Sequence, residues 1–297
     1  MKLLSFNKNT QENVGLKTES GVIDLPESYF NKYRENPPNY FYNLREFFEN
    51  LDVAKKQSMD LLLDDSALVK ISESSIKFLP PLKPRKIFCV AVNYGKHAEE
   101  AGGSSVEEPY VFTKFSDNIV APNENLLMPK STNQFDHELE LALIIGKKGK
   151  YIEEEDAFDH IGGYTIFNDV SYRDRRIHSS KRYITNWLHG KNLDHSAPFG
   201  PYIVTKDEIP DPQNLHMTFK VNGEVRQDGN TRDMIHKIPE LVKYISNGIT
   251  LMPGDIISTG TVTGSGLGTG KFLKDGDILE ATIERIGTLI NRVVAEK

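Results

Sequence analysis

The chain has 297 residues, with 36 lysine and arginine residues against 42 aspartate and glutamate residues, a formal net charge of −6. This length can bury one large or two modest hydrophobic cores. An acidic balance without a basic stripe argues against a nucleic-acid partner. Because no apolar run approaches the roughly 20 residues of a membrane helix, we also expect no membrane partner.

Two features of the sequence predict the compartment. The amino terminus turns polar directly after Phe6, too early for the apolar core of a secretory signal. Cys89 is the single cysteine, so no internal disulfide can form and a reducing compartment is the default. These observations predict a cytoplasmic protein.

Residues 1–82 are predicted to form a small amino-terminal domain that contains β-strands. Short apolar runs separated by turn residues predict strands at Lys2–Phe6, Asn13–Lys17 and Gly21–Leu25. Apolar residues at helical spacing then predict one amphipathic helix within Asn43–Leu63. Prolines cluster between residues 80 and 84, which favours a linker and a domain boundary near residue 82.

Residues 83–297 are predicted to form the larger domain, which is mainly β. Short helices are expected at Glu153–His160 and Pro239–Asn247. The strands do not alternate regularly with long helices, which disfavours a doubly wound sheet or a TIM barrel and predicts an α+β fold. The predicted strands are Ile87–Val92, Leu139–Ile145, Gly163–Phe167, Tyr202–Thr205, Leu215–Val221, Asp255–Thr259 and Ile278–Ile286.

Three carboxylates have the pattern of a metal site. Residues two apart in a strand share a face, so Glu138 and Glu140 project together, about 7 Å apart by strand rise. Asp169 follows another predicted strand, where loops and sites gather. Such an all-oxygen set suits Mg²⁺ or Mn²⁺ rather than structural zinc. A solvated acidic edge is the alternative interpretation of the two glutamates.

Further candidates are an imidazole–carboxylate pair and a lysine. If residues from Lys96 onward are helical, His97 and Glu100 are i,i+3 neighbours, an arrangement that suits a general base for water. Lys191 could hold a substrate carboxylate or an enolate oxygen. An ordinary surface histidine and a solvated lysine are the alternatives.

The glycine-rich stretch 259–271 does not have the spacing of a phosphate-binding loop, because Ser265 and Phe272 occupy required positions. It also lacks the pattern of a nucleophile elbow. Two interpretations stay open: a flexible surface loop, or a loop whose backbone approaches a ligand closely.

Six segments in the same order resemble the fumarylacetoacetate hydrolase family, and the resemblance spans about residues 86 to 290. An amino-terminal β-containing segment like Met1–Leu25 is also frequent in family members of this length. The resembling segments are Asn93–Glu100, Asp136–Lys147, Gly163–Asp174, Gly190–Pro201, Val221–Gly223 and Gly254–Thr261.

The resemblance implies a mixed β-sandwich roll around a divalent-cation site, in a homodimer. It also implies that the glycine-rich stretch closes over a substrate. By residue, the resemblance implies metal ligands at Glu138, Glu140 and Asp169, a lid dyad of His97 and Glu100, an active-site lysine at Lys191, and a substrate contact at Thr261.

The sequence departs from the family pattern near the implied pocket. Tyr172 stands where a small residue is usual, and Arg176 stands where glutamine is common. Both are expected to border the pocket and contact substrate, and the added arginine favours a second carboxylate on that substrate.

The resemblance implies an enzyme that uses Mg²⁺ or Mn²⁺ on a short 2-oxo or 1,3-diketo acid, through a metal-bound enolate. Hydrolysis of an acylpyruvate C–C bond and decarboxylation of oxaloacetate are the favoured reactions, acting on a small-molecule 2-oxo acid. Isomerisation of an unsaturated 2-oxo diacid, of the 2-hydroxyhepta-2,4-diene-1,7-dioate type, uses the same enolate and stays an alternative. A non-catalytic metal-binding scaffold is a second class of function, but no implied ligand is lost.

Overall fold

The structure is a computed structural model that describes residues 1–100, 107–175 and 185–297. Mixed β-sheets dominate it, as the predicted α+β fold requires. The strands in the described residues are β1 (Lys2–Lys8), β2 (Gln11–Thr18), β3 (Gly21–Asp24), β4 (Lys70–Ile71), β5 (Lys77–Phe78), β6 (Ile87–Ala91), β7 (Tyr110–Lys114), β8 (Ile119–Val120), β9 (Asn125–Met128), β10 (Phe135–Asp136), β11 (Leu139–Ile145), β12 (Ile161–Asn168), β13 (Ser171–Tyr172), β14 (Ala197–Thr205), β15 (His216–Val221), β16 (Glu224–Asn230), β17 (Ile256–Thr261), β18 (Ile278–Ile283) and β19 (Gly287–Ala295).

One large sheet joins strands from both ends of the chain. Its order is β4-β3-β2-β1-β14-β12-β11-β17-β6-β7, with β5 and β8 pairing beside it. The junction is β1 on β14, where Leu3 lies opposite Ile203 in an antiparallel ladder. The amino-terminal strands therefore extend the sheet that carries β11. We retain the division into residues 1–82 and 83–297 as a proposal about domain organisation.

The central strand β11 is buried on both faces, and one hydrophobic core of the protein lies on each side of it. Leu139, Leu141 and Leu143 belong to the core shared with the five-stranded sheet β16-β15-β18-β19-β9. Ala142 and Ile144 belong to a second core, which includes side chains of the amino-terminal helices. Glu140 alternates onto the second face, opposite the leucines, as the period of a strand dictates.

The long helix expected within Asn43–Leu63 is two helices in the structure. Asn43 caps the first, with its side chain accepting hydrogen bonds from two backbone N–H groups. Asn50 has φ −121° and ψ 33°, outside helical values, and separates it from the second. The α-helices of the described residues are α1 (Leu25–Tyr33), α2 (Leu44–Glu49), α3 (Leu51–Leu61), α4 (Gly95–Glu100), α5 (Ala157–His160), α6 (Trp187–Lys191), α7 (Ile238–Ser246) and α8 (Gly266–Thr269).

Within the three described ranges, no helix is both long enough and apolar enough to cross a membrane.

We predict that Leu3→Ala destabilises the larger segment as well as the smaller one. Leu3 is fully buried in the core that also contains Phe199 and Ile203, and such truncations cost about 2–5 kcal/mol. Urea unfolding is followed by the fluorescence of Trp187, the single tryptophan. The free energy of unfolding should fall by that amount, and the midpoint should move to a lower urea concentration.

The matched control is Leu63→Ala, because Leu63 is 84% exposed and its truncation should change stability by less than about 0.5 kcal/mol. An unchanged Trp187 transition in Leu3→Ala would instead mean that residues 1–82 unfold independently of the larger segment.

Candidate active site

The three carboxylates selected from the sequence converge at one end of β11 and β12. Glu138 directly precedes β11, Glu140 lies within it, and Asp169 directly follows β12. The antiparallel register sets Leu139 opposite Asn168, which brings the ends of these strands together. One oxygen from each carboxylate lies within 4.8 Å of the others, and all three residues are buried.

Hydrogen bonds join the two strand ends and fix the position of the Glu140 carboxylate. The Asp169 N–H donates to the Glu138 carbonyl at 2.9 Å. The Glu140 carboxylate accepts hydrogen bonds from the Ser258 hydroxyl at 2.5 Å and the Gly260 N–H at 2.9 Å. Gly260 has φ +92°, and a Cβ there would lie 2.8 Å from Cβ of Asn93. A glycine is therefore required where the strand end approaches Glu140.

Buried cations surround the carboxylates. The Lys191 ammonium contacts both Glu138 and Asp169, at 2.5 Å from Oδ2 of the latter. Lys114 lies 2.8 Å from the other Asp169 oxygen. Arg173 bridges Glu138, at 2.5 Å, and the buried Asp136, at 2.7 Å.

The local charge balance favours an additional cation. Among the described residues, these three cationic side chains face four buried carboxylates. Uncompensated buried negative charge is costly, so binding of a divalent cation is favoured. With that cation bound, the site would have a net positive charge and would attract an anionic ligand.

The glutamates respond oppositely to this environment. Burial, with the nearby charges of Asp169 and Glu138, raises the pKa of Glu140 well above its usual range. Burial also acts to raise the pKa of Glu138, but the positive charges of Arg173 and Lys191 outweigh it and hold that pKa well below its usual range. Glu140 is therefore the carboxylate that most needs a further positive charge.

The donor set fits a hard divalent cation. Three carboxylates supply oxygen ligands from a rigid strand pair, and Mg²⁺ and Mn²⁺ both prefer oxygen ligands. The described residues offer no other such group of histidine, cysteine, aspartate or glutamate. The acidic triad is therefore a possible metal-binding site.

The histidine and glutamate of α4 form a contact pair beside the triad. Nδ1 of His97 lies 3.3 Å from Oε2 of Glu100, and Nε2 lies 3.7 Å from Oε1 of Glu138. The Glu100 carboxylate also accepts hydrogen bonds from the Thr263 hydroxyl and the Gly264 N–H. Partial burial acts to raise the pKa of Glu100, but the His97 ring and these two donors lower it overall.

Most of the residues singled out from the sequence line one cavity. Thr261 is among them, but its hydroxyl donates to the Leu139 carbonyl at 2.8 Å. The cavity is lined by His97, Glu138, Glu140, Asp169, Lys191 and Thr261, together with Val90, Ala91, Val92, Phe112, Arg173 and Trp187.

One predicted substrate contact does not line this cavity, and a second lies outside the described residues. Tyr172 is fully buried, with its ring 5.6 Å from that of Phe135, and it is not among the lining residues. Arg176 lies outside the described residues, so its contact with substrate stays a prediction.

The sequence analysis did not single out Lys114, Arg173 or the aromatic wall of the cavity. The Phe112 and Trp187 rings stack at 4.3 Å, and the Lys191 ammonium lies 5.2 Å from the Phe112 ring centre. The sequence did contain a signal for Lys114, because it lies two residues after the apolar Phe112 on strand β7 and therefore shares its buried face. Arg173 carried no comparable signal, since its partners come from distant segments.

Comparison with known proteins identifies the family. The model of the fumarylacetoacetate hydrolase carboxy-terminal domain matches residues 86–294. The mitochondrial oxaloacetate tautomerase of Bos taurus is 43% identical over 301 residues, covering 99% of this chain and 92% of that protein. The chain therefore belongs to the fumarylacetoacetate hydrolase family, and it is an enzyme of that family.

Solved structures confirm the predicted family fold. The fumarylacetoacetate hydrolase of Exiguobacterium antarcticum has a TM-score of 0.79 at 31% identity, covering 100% of both chains. The maleylpyruvate hydrolase of Sphingobium sp. SYK-6, solved with manganese(II) and pyruvate, has a TM-score of 0.81 at 26% identity, also covering 100% of both chains.

The comparison corrects one prediction. The expected cytoplasmic location is wrong, because the relatives from Bos taurus and Xenopus laevis that match 99% of this chain are described as mitochondrial. A single cysteine indicates a reducing environment, but it does not distinguish one reducing compartment from another.

We predict that Glu140→Gln lowers affinity for Mn²⁺ by at least about 100-fold, because changes outside the ligand shell already cost roughly 10–100-fold. The amide oxygen can still accept hydrogen bonds from Ser258 and Gly260, so the protein should fold. Titration of Mn²⁺ followed by electron paramagnetic resonance measures the change.

The control for this titration is Glu224→Gln, which removes a surface carboxylate that forms an ion pair with Lys271. Wild-type Mn²⁺ affinity in Glu140→Gln would exclude Glu140 as a metal ligand.

Proposed function

We propose that the protein is a divalent-cation-dependent keto–enol tautomerase of a short 2-oxo diacid of the oxaloacetate type. The observation that carries this proposal is the position of the His97–Glu100 pair, whose free ring nitrogen faces the carboxylate triad. A relative at 43% identity over nearly the whole chain is an oxaloacetate tautomerase. The activity of that relative supports the choice of substrate.

The proposed cation is Mg²⁺ or Mn²⁺, held by Glu138, Glu140 and Asp169. When bound, it supplies a Lewis acid that polarises the carboxylate and 2-oxo oxygens of the acid. The manganese in the maleylpyruvate hydrolase structure supports this class of metal.

In the proposed reaction, His97 moves one proton between carbon and oxygen. Its neutral ring takes a proton from C3 of the keto acid, and the electron pair of that C–H bond forms the enolate. The resulting imidazolium, steadied by Glu100, returns the proton to the oxygen and yields the enol. Keto and enol forms have the same composition, so no water or second substrate is consumed.

The buried cations explain how an acidic site accepts an acidic substrate. Lys191 lies against the triad and lines the cavity, so its ammonium is placed to stabilise a developing negative oxygen. Arg173 holds Glu138 and presents further positive charge to the same cavity. We retain Arg176 as a proposed substrate contact, assigned to the second carboxylate, whereas the burial of Tyr172 beside Phe135 argues against contact between Tyr172 and substrate.

Hydrolysis of an acylpyruvate is the second candidate. The observation in its favour is the pyruvate-bound maleylpyruvate hydrolase, which shares the fold. If this protein is a hydrolase, His97 would deprotonate water and the hydroxide would add to the distal carbonyl of the acylpyruvate. The C–C bond would then break to give a free acid and the enolate of pyruvate. Decarboxylation of oxaloacetate reaches the same enolate by loss of CO₂.

We further propose that the chain acts as a homodimer. Its support is the family resemblance and three large apolar side chains exposed on segments that border the cavity: Tyr110 (43% exposed), Phe115 (52%) and Leu188 (52%). Light scattering after size-exclusion chromatography tests this, and a monomeric mass at micromolar concentration would refute it.

The decisive experiment separates the three reactions with one protein preparation. Loss of the ultraviolet absorbance of enol oxaloacetate is followed with Mg²⁺, with and without excess chelator, while NMR follows pyruvate in parallel. Chelator-sensitive loss of enol without pyruvate supports the tautomerase. Pyruvate from oxaloacetate above the Mg²⁺-only rate indicates a decarboxylase, and pyruvate plus a free acid from an acylpyruvate indicates a hydrolase. Inactivity toward both acids would refute the proposal.

We predict that His97→Gln lowers kcat by roughly 10²–10⁴-fold, the usual contribution of a positioned acid–base group. Affinity for Mn²⁺ should stay at the wild-type value, because His97 is not one of the proposed ligands. Stopped-flow tautomerisation and Mn²⁺ titration measure the two quantities.

His216→Gln is the control for this variant, since His216 is exposed and contacts Asp228 at the surface. Loss of Mn²⁺ binding in His97→Gln would mean that His97 is a metal ligand and that its assigned role is wrong.

A further inference from the structure

Within the glycine-rich stretch 259–271, residues 263–268 pack directly against the carboxylate of Glu100. The Thr263 hydroxyl and the Gly264 N–H both donate to Oε1, the latter at 2.9 Å. A Cβ added to Gly268 would lie 2.4 Å from Cδ of Glu100. One oxygen of this carboxylate is therefore held by the loop, and only Oε2 is directed at His97.

Glu100 depends on this support because its own helix is short. Helix α4 runs only from Gly95 to Glu100, and a helix of this length is marginal without tertiary contacts. The loop is itself closely packed: a Cβ at Gly264 would lie 2.0 Å from the Arg226 carbonyl oxygen. Further along, the N–H groups of Gly266 and Leu267 donate to the buried carboxylate of Asp136, at 2.6 and 3.0 Å.

The position of Glu100 decides which nitrogen of His97 carries the proton. Nδ1 has a carboxylate oxygen at 3.3 Å, within reach of a hydrogen bond. The carboxylate nearest to Nε2 is Glu138, at 3.7 Å, which is too far for one. An acceptor at one ring nitrogen fixes the proton there and leaves the lone pair on the other. The lone pair of Nε2 then faces the triad.

We infer that Thr263 is a positioning residue that, through Glu100, holds His97 in its Nδ1–H tautomer and so makes Nε2 the nitrogen that transfers the proton. This inference deepens the proposed function and rests on it for the catalytic consequence. The hydroxyl matters because it has a single proton, and that proton is committed to Glu100. Without it, Oε1 keeps only the Gly264 donor, and the carboxylate is free to rotate away from Nδ1.

The test compares Thr263→Val, which keeps the size of the side chain and removes the hydroxyl, with Thr263→Ser, which keeps the hydroxyl. In protein labelled with ¹⁵N-histidine and loaded with diamagnetic Mg²⁺, protonated and unprotonated ring nitrogens have well-separated shifts. The His97 signals are identified by their absence in His97→Gln. The spectra are recorded at a pH where the ring is neutral.

Wild type and Thr263→Ser should both have a protonated Nδ1 and an unprotonated Nε2. In Thr263→Val the two shifts should move toward each other as both tautomers become populated. Its kcat should fall about 10- to 100-fold, part of the roughly 10²–10⁴-fold that a positioned base contributes, while KM and Mn²⁺ affinity stay at wild-type values. Thr269→Val is the matched control, because that hydroxyl donates to the Ser265 carbonyl instead.

Unchanged His97 shifts in folded Thr263→Val would overturn the inference, whatever happens to kcat. If Thr263→Val does not fold, Gly268→Ala displaces Glu100, because the added Cβ would lie 2.4 Å from its Cδ, and should produce the same spectral change. The NMR result needs no turnover, so it stands even if the wild-type protein fails to act on oxaloacetate. A wild-type protein with the expected tautomer and no activity would refute the proposed function alone.

Discussion

Mutual repulsion of buried carboxylates is the constraint on which the site depends. Glu138, Glu140 and Asp169 lie at the ends of two paired strands, with one oxygen of each within 4.8 Å of the others. Burial makes this arrangement costly unless positive charge compensates it. Lys114, Lys191 and Arg173 supply part of that charge from three separate segments. Strand β7, helix α6 and the segment after β13 position these three cations around the carboxylates.

A closed ring of contacts links the proposed metal ligands to the proposed base. Glu138 contacts Arg173, Arg173 contacts Asp136, and Asp136 accepts hydrogen bonds from the glycine-rich stretch. That stretch holds Glu100, which contacts His97, whose other nitrogen returns to Glu138. Each member of the ring has its position set by two neighbours. The shorter route from the loop to the imidazole runs through Glu100 and does not include a residue of the triad.

The sequence predicted what is local and missed what is assembled from distant segments. The alternation of leucine and glutamate in Glu138–Leu143 predicted two carboxylates on one face, because strand period is an intrinsic property of the backbone. The break at Asn50 was missed because apolar spacing continues across it, while the side chain and backbone of Asn50 cap the preceding helix instead. Arg173 and Lys114 were missed because the carboxylates with which they form ion pairs, Asp136 and Glu138 for Arg173 and Asp169 for Lys114, lie more than 30 residues away in sequence. Tyr172 packs into the core beside Phe135, a choice set by tertiary contacts rather than by its neighbours in sequence.

Lys114 has a second consequence that concerns solubility. It lies on β7, the terminal strand of the large sheet among the described strands, and its side chain is 0% exposed because it points inward. Terminal strands present unpaired backbone groups to other molecules, and an inward-pointing charge is one device by which proteins discourage such pairing. The lysine that compensates Asp169 thus also places an inward-pointing charge on this terminal strand, which makes the edge a poorer template for strand pairing. Replacing it with an apolar side chain would remove a charge from the site and a safeguard against self-association together.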